Sequence, residues 1–113
     1  MRVSAIVVNW NAGEHLARCV HALLNQVDAA VEVIVVDNAS SDTSLAGLCE
    51  VADRVQIVQT GENLGFGRGI NRGVAAATNP FVVGLNPDVV LEPNALGALV
   101  GFLEGNRDAG IVG

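Results

Sequence analysis

The chain has 113 residues, half of them apolar and only 16% charged, which points to one domain with a single modest core and not to a disordered segment. Its net charge of −6 argues against nucleic acid or an anionic membrane as the main partner, because both reward clustered cations. All six basic residues are arginine, and this excludes Schiff-base, pyridoxal phosphate and Walker-type phosphate chemistry, each of which requires a lysine.

The first apolar run, Val3 to Val8, follows only Met1-Arg2 and breaks at Asn9-Trp10-Asn11. It is too short for a signal peptide, and no stretch approaches the ~20 apolar residues of a membrane span. A soluble, cytoplasmic chain with no transmembrane segment is the expectation, with peripheral attachment to a membrane left open. Leu16, Val20, Leu23, Leu24 and Val27 come next with helical spacing, and Cys19 falls on the same side. A second run, Val31 to Val36, ends in Asp37-Asn38-Ala39-Ser40. Ser41 or Asp42 then suits a helix N-cap, ahead of a helical pattern of Leu45, Leu48, Cys49 and Ala52. Cys19 and Cys49 read as buried, reduced core residues, since neither a CxxC pair nor a zinc-type cluster is present. His15 and His21 are six apart on one helix, too far round it to share a metal, and read as surface residues.

A third run, Val55 to Val58, leads to Glu62-Asn63 and the segment "TGENLGFGRGINRGVAAATN". Each glycine in a helix costs roughly 1 kcal/mol relative to alanine. Close approach to another backbone or to a ligand is the usual reason to tolerate that. The fourth run, Phe81 to Leu85, stops at Asn86-Pro87-Asp88, where the proline cannot donate to a sheet ladder and marks the strand's end. Pro93 suits the first turn of a last helix carrying Leu96, Leu99, Val100 and Leu103, and Gly105 suits its stop. Ile111-Val112 reads as a final short strand. Runs this rich in β-branched residues, barely alternating, are strands buried on both faces. The expected fold is therefore α/β: a three-layer, Rossmann-like open parallel sheet with helices on both faces.

Each of the first four strands ends in polar residues, and in an open parallel sheet those ends share the carboxyl edge, where ligands bind at the reversal of strand order. Any one of these residues suits a turn; the full set points to a polar ligand. The first turn lacks GxGxxG, which disfavours a dinucleotide site, and Gly65, Gly67 and Gly69 do not match that spacing. A phosphate site without lysine must use arginine, helix N-termini or a metal, with Arg68 and Arg72 as candidates. A carboxylate ~4 Å from a negative phosphate costs about 4 kcal/mol at an effective dielectric of 20. A divalent cation between them reverses the sign, so Asp88 makes sense as a metal ligand facing a diphosphate. Trp10 suits stacking on a base and equally suits covering the core's edge; Arg72 also reads as a solvated residue.

Taken together, "VVNWNAG", "VIVVDNASSDTS", "NLGFGRGINRG" and "VVGLNPDVVLEP" resemble the nucleotide-binding half of a family 2 glycosyltransferase of the GT-A fold, nearest its rhamnosyltransferase-like branch. The resemblance spans nearly the whole chain in order. It implies that residues 1–113 form a domain binding a nucleoside diphosphate-sugar donor, with Mg²⁺ or Mn²⁺ as cofactor and no nucleic-acid partner. Asn9, Asn11, Glu14 and Asp37 would hold base and ribose, and Asn38 and Ser40 would shape that loop. Asn63, Gly65, Arg68 and Asn71 would border the nucleotide. Asn86-Pro87-Asp88 stands where the family has DxD, with Asp88 facing metal and diphosphate and Asn86 replacing the first aspartate; an amide bonds a ribose or phosphate oxygen but is a poorer metal ligand. No catalytic residue is expected in the chain, because the resemblance places the acceptor half and the general base of an inverting transfer beyond Gly113. A different reading is a non-catalytic nucleotide-binding or assembly module, forming a homo-oligomer through the surface left by the missing half. A phosphoacceptor receiver-like domain is discarded, because it requires a lysine and an acidic pair after the first strand.

Overall fold

A computed structural model describes all residues from Met1 to Gly113. Four parallel strands, β1 (Arg2–Asn9), β2 (Ala30–Asp37), β3 (Val55–Gln59) and β4 (Phe81–Leu85), form one sheet in the order β3-β2-β1-β4. Three α-helices, α1 (Glu14–Leu24), α2 (Phe66–Ala76) and α3 (Ala95–Gly105), and a 3-10 segment over Leu45–Arg54 complete the chain. From β1 the chain steps outward to β2 and β3, then returns past β1 to β4. A right-handed crossover run in the opposite direction lies on the opposite face, so α2 covers one face while α1, the 3-10 segment and α3 cover the other. The fold expectation is met, but burial on both faces holds only for the central strands: β3 and β4 are edge strands, each with exposed residues, Val82 and Ile57 among them. The reversal falls between β1 and β4, and it defines where a ligand site belongs.

The larger core layer packs Val3, Ala5 and Val7 of β1 and Val33 and Val35 of β2 against Leu16, Val20 and Leu23 of α1, Leu48, and Leu96 and Val100 of α3. Burying each such side chain contributes about 1.5–3 kcal/mol. The thinner layer holds Ile6, Ile34 and Val36 under α2. Here glycine is required for proximity: a Cβ on Gly73 would lie 2.3 Å from Ile6 Cγ2, and one on Gly69 2.8 Å from Val8 Cγ1. The helix rides directly on β-branched side chains of the central strand, which is the close approach that the glycine-loaded segment anticipates.

At the amino end of the sheet the buried Ser4 hydroxyl donates to Glu32 Oε1 at 2.6 Å, and Thr78 donates to the same carboxylate from its backbone N–H at 3.0 Å and its hydroxyl at 2.9 Å. These bonds hold the Glu32 carboxyl below its ordinary range, the Ser4 bond most of all. They pin the entry to β4 against β1 and β2.

Three expectations need correction. Leu45–Arg54 is a 3-10 segment kinked at Val51, not an α-helix; with about three residues per turn, Leu48 and Val51 face the core and Cys49 faces solvent. Cys49 is thus exposed, whereas Cys19 is buried as expected. Ile111-Val112 forms no strand, having no hydrogen-bonded neighbour in the sheet, and Ile111 is almost fully exposed. Smaller shifts occur at helix ends: α1 stops at Leu24 and leaves Val27 half exposed, and α3 begins at Ala95, two residues after Pro93.

Candidate functional site

Asn9 and Asp37 close adjacent strands and are partners in register, so their side chains leave the same face of the sheet side by side. Both are buried. Asn9 Nδ2 donates to Asp37 Oδ1 at 3.0 Å and reaches Ser40 Oγ at 3.1 Å and Ser44 Oγ at 2.9 Å. Asn9 Oδ1 has no partner. Ser40 returns to the Asp37 carboxylate twice, from its hydroxyl at 2.7 Å and its backbone N–H at 3.2 Å. That return needs Ala39 at φ +61°, a left-handed conformation costing an alanine roughly 1 kcal/mol.

Loops after β1 and β2 are laced together. Asn11 Oδ1 accepts from Ser41 N at 2.8 Å and Asp42 N at 3.2 Å, while Asn11 N donates to Ser40 Oγ at 2.9 Å. Asp42 accepts from Ser44 N and Oγ and from Gly13 N, at 3.1, 2.6 and 2.9 Å. The Ser44 hydroxyl foremost, with the two backbone donors, holds this carboxyl below its usual range. The N-cap of the 3-10 segment is Ser44, with no side-chain cap bond, and not Ser41 or Asp42 as expected; Asp42 instead closes the turn ahead of it and joins the two loops.

Asn38 points to the opposite face and ties in the segment before α2. Its Oδ1 accepts from Thr60 Oγ1 at 3.0 Å, and its Nδ2 donates to Gly65 O at 3.1 Å, with Asn63 Oδ1 at 3.5 Å. Asn63 Oδ1 in turn accepts from Gly65 N at 3.0 Å, and Gly65 turns at φ +80°, a conformation that glycine adopts freely.

Of these groups Asn38, Asn63 and Gly65 line a recess of about 220 Å³ to which the segments following all four strands contribute, whereas Asn9, Asn11, Asp37 and Ser40, expected at the site, lie outside its lining. Val8 and Trp10 come from the end of β1, Asn38 from β2, Asn63, Gly65 and Phe66 from the segment opening α2, and Asn86 and Pro87 from β4. Trp10 is 55% exposed, so it faces the recess instead of sealing the core. Phe66, 47% exposed, lines it too and went unnoticed in the sequence, although an aromatic ring between two glycines has little core to join.

Other expected residues stand apart. Glu14 is exposed on α1 and pairs with Arg18 at 3.3 Å, the chain's one ion pair. Arg68 and Asn71 line a separate recess of about 350 Å³ with Glu62, Leu64 and Arg72. Asp88 is exposed in the turn after β4, outside the recess lining. Burial, and then the nearby Asp88 carboxylate, pushes the Cys19 thiol up to about 11, and this thiol lies 3.9 Å from Asn86 O. No three His, Cys, Asp or Glu side chains come together as a metal-holding group. A groove of about 310 Å³ between α3 and the start of β4 is lined almost wholly by apolar side chains and lacks the groups that polar recognition needs.

A four-stranded parallel sheet with helices on both faces, a reversal of strand order between β1 and β4 and polar side chains gathered at its carboxyl edge defines the class as an open α/β domain. Residues 4–113 match the model of glycosyl transferase family 2, and the chain belongs to that family. An uncharacterized glycosyltransferase of Nostoc sp. is 31% identical over 116 residues, covering 99% of this chain and 36% of that protein. An N-acetylglucosaminyl-diphospho-decaprenol L-rhamnosyltransferase of Mycobacterium tuberculosis is 28% identical over 106 residues, covering 84% of this chain and 34% of that protein. Among solved structures, mannosyltransferase PcManGT from Pyrobaculum calidifontis, in complex with GDP-Man and Mn²⁺, superposes with a TM-score of 0.82 at 25% identity, covering 90% of this chain and 32% of that one. S. aureus TarS 1-349 in complex with UDP shares the fold with a TM-score of 0.82 at 24% identity, covering 95% and 33%. The chain thus spans about a third of the length of the curated relatives it matches. No helix is long and apolar enough to cross a membrane.

Proposed function

We propose that residues 1–113 form the donor-binding domain of a glycosyltransferase and hold the nucleoside diphosphate of a sugar donor at the carboxyl edge. One observation carries this reading: the segments following all four strands gather at the carboxyl edge and supply the lining of a single recess, with the Asn9–Asp37 cluster at the same edge but outside that lining. Asp37 offers a buried carboxylate, whose Oδ2 accepts only the Ser40 N–H, to ribose hydroxyls or a base N–H. Asn9, Asn11 and Ser40 hold it in place, and Trp10 and Phe66 supply faces on which a base or sugar ring can rest. Asn38, Asn63 and Gly65 form the wall beside α2. Arg68 and Asn71 line a recess of their own on α2 and stand outside the primary set.

The donor set fits a metal that arrives with its substrate. Mg²⁺ and Mn²⁺ are commonly held by one or two carboxylates plus substrate phosphates, and here Asp88 offers one exposed carboxylate with the Asn86 amide near it. Bound there, the ion would neutralise charge on the departing nucleoside diphosphate. Support comes from the family match and from the relative that carries Mn²⁺ with GDP-Man. Transfer of the sugar to an acceptor hydroxyl, with inversion, is proposed for a protein of the length of these relatives, of which this chain matches about a third. A rhamnosyl donor is the finer proposal, on the likeness to the mycobacterial enzyme.

Calorimetry with UDP, GDP and dTDP, each with and without Mn²⁺, tests the reading. Saturable binding of at least one, strengthened by Mn²⁺, is expected; binding of none overturns it.

A further inference from the structure

We propose that Asp42 is a positioning residue that sets the hydrogen-bond polarity around Asn9 and Asp37, acting through Ser44. Its effect on binding rests on the nucleotide reading above; its effect on the Asn9 side chain does not. Ser44 has one hydroxyl proton, and it goes to Asp42 Oδ1 at 2.6 Å. The lone pairs of Ser44 are thereby turned to Asn9, which donates to them at 2.9 Å. Ser40 repeats the arrangement on the other side. Its proton goes to Asp37 Oδ1 at 2.7 Å, and its lone pairs accept from Asn9 Nδ2 at 3.1 Å and Asn11 N at 2.9 Å.

Both hydroxyls beside Asn9 are therefore committed as acceptors by a carboxylate, Asp42 for Ser44 and Asp37 for Ser40. Asn9 must face them with its nitrogen, and its oxygen is left buried without a partner. An amide turned the other way would satisfy that oxygen only if a hydroxyl proton were free to meet it. Asp42 removes the Ser44 proton from that competition. A local turn, the Asp42 side chain accepting from the backbone two residues on, alone explains the bond from Ser44 N at 3.1 Å. It does not explain why the Ser44 hydroxyl is relayed to a buried amide in the neighbouring strand, nor why the second Asp42 oxygen accepts from Gly13 N at 2.9 Å, where α1 begins. An exposed carboxylate thus governs the orientation of a fully buried one's partner.

The test compares Asp42→Ala, Ser44→Ala and the double variant in the isotope-labelled chain. The expected result is a shift of the Asn9 side-chain amide resonances in each single variant. Weakening of nucleotide binding by about tenfold, the scale of one charge-assisted hydrogen bond, is expected in each. The double variant is expected to be no weaker than the weaker single one, because both changes cut the same relay. Because Ser44 contacts Asn9 directly, the Asp42→Ala variant decides: Asn9 resonances that stay in place there, with circular dichroism unchanged, overturn the proposal, and so do losses that add in the double variant. A role for Asp42 confined to its own turn would lower the melting temperature of Asp42→Ala and leave Asn9 unmoved. If the wild-type chain binds no nucleotide, the donor-site reading fails, while the Asn9 resonances still decide this one.

Discussion

The side-chain amide of Asn9 donates to the carboxylate of Asp37 at 3.0 Å, joining the last residues of two strands that are partners in register. Replacing Asn9 by aspartate would set two buried carboxylates at that separation. Coulomb repulsion of about 4 kcal/mol or more at an effective dielectric of 20 would follow if both stayed ionised, so one must take up a proton. The new carboxyl would then titrate above its unfolded value of about 3.9. A group whose folded pKa is raised keeps its stability below the unfolded value and loses it as pH climbs through the folded one. Urea denaturation of Asn9→Asp is therefore expected to match the wild type most closely near pH 4 and to fall behind it steadily toward pH 7.

Gly73 and Gly67 sit on the same helix with opposite prospects. Alanine at Gly73 gains about 1 kcal/mol of helix propensity, but its Cβ would lie 2.3 Å from Ile6 Cγ2, in the buried layer under α2. Overpacking of this kind costs about 1–3 kcal/mol, so Gly73→Ala is expected to destabilise on balance. A Cβ on Gly67 meets nothing within 4 Å, and Gly67→Ala is expected to stabilise by a few tenths of a kcal/mol, about half the full propensity gain or less at a helix's first turn. Denaturant midpoints of the two variants should move in opposite directions.

The central strands were legible because Val and Ile run through them without alternating, and their polar ends followed from where those runs stopped; β4 reads the same way yet is a half-exposed edge strand. What escaped notice depended on phase or on distant partners. Cys49 reads as core only if Leu45 to Ala52 turns at 3.6 residues; the tighter 3-10 winding moves it into solvent. Arg68 and Asn71 share a glycine-rich segment with Asn63 and Gly65, yet α2 carries them round to a different recess, since its glycine stripe must face β1. Ser44 and Thr60 gave no signal at all. Their roles come from hydrogen bonds to residues 35 positions away for Ser44 and 22 for Thr60, which no local pattern encodes.

Glu32 links the amino end of the sheet to the chain entering β4, and its carboxyl titrates below the ordinary range because Ser4 and Thr78 donate to its charged form. A carboxyl lowered by folding contributes stability above its unfolded pKa, near 4.5, and that contribution disappears as pH falls through the folded value. Ser4→Ala removes the largest of these bonds and is expected to cost about 1 kcal/mol at pH 7. The difference from wild type should shrink as the pH drops below 4, and thermal melts across that range would measure it.

Trp10 is the only tryptophan, half exposed at the recess that all four strands form. If it lies under a base or sugar ring, Trp10→Ala should weaken nucleotide binding by about 1–3 kcal/mol with little change in stability, since the ring is not part of the core. Quenching of its fluorescence on titration with the bound nucleotide would report the same contact directly. An unchanged dissociation constant and an unchanged emission spectrum would remove Trp10 from the site.

Asp88 carries the most consequential single charge in the proposed chemistry. It lies in the turn that Pro87 forces after β4, exposed and unpaired with any arginine. With no metal between them, its carboxylate repels a diphosphate; with a divalent cation, it helps hold one. Asp88→Asn is therefore expected to act with opposite signs in the two conditions. Binding of the preferred nucleoside diphosphate should strengthen slightly in the presence of a chelator, because a repulsive charge is gone. It should weaken by about tenfold or more with Mn²⁺ present, because a single carboxylate anchors the ion on the protein side. Calorimetric titrations of wild type and variant under both conditions would separate these effects, and a variant that keeps the full Mn²⁺ enhancement would show that the ion is held elsewhere.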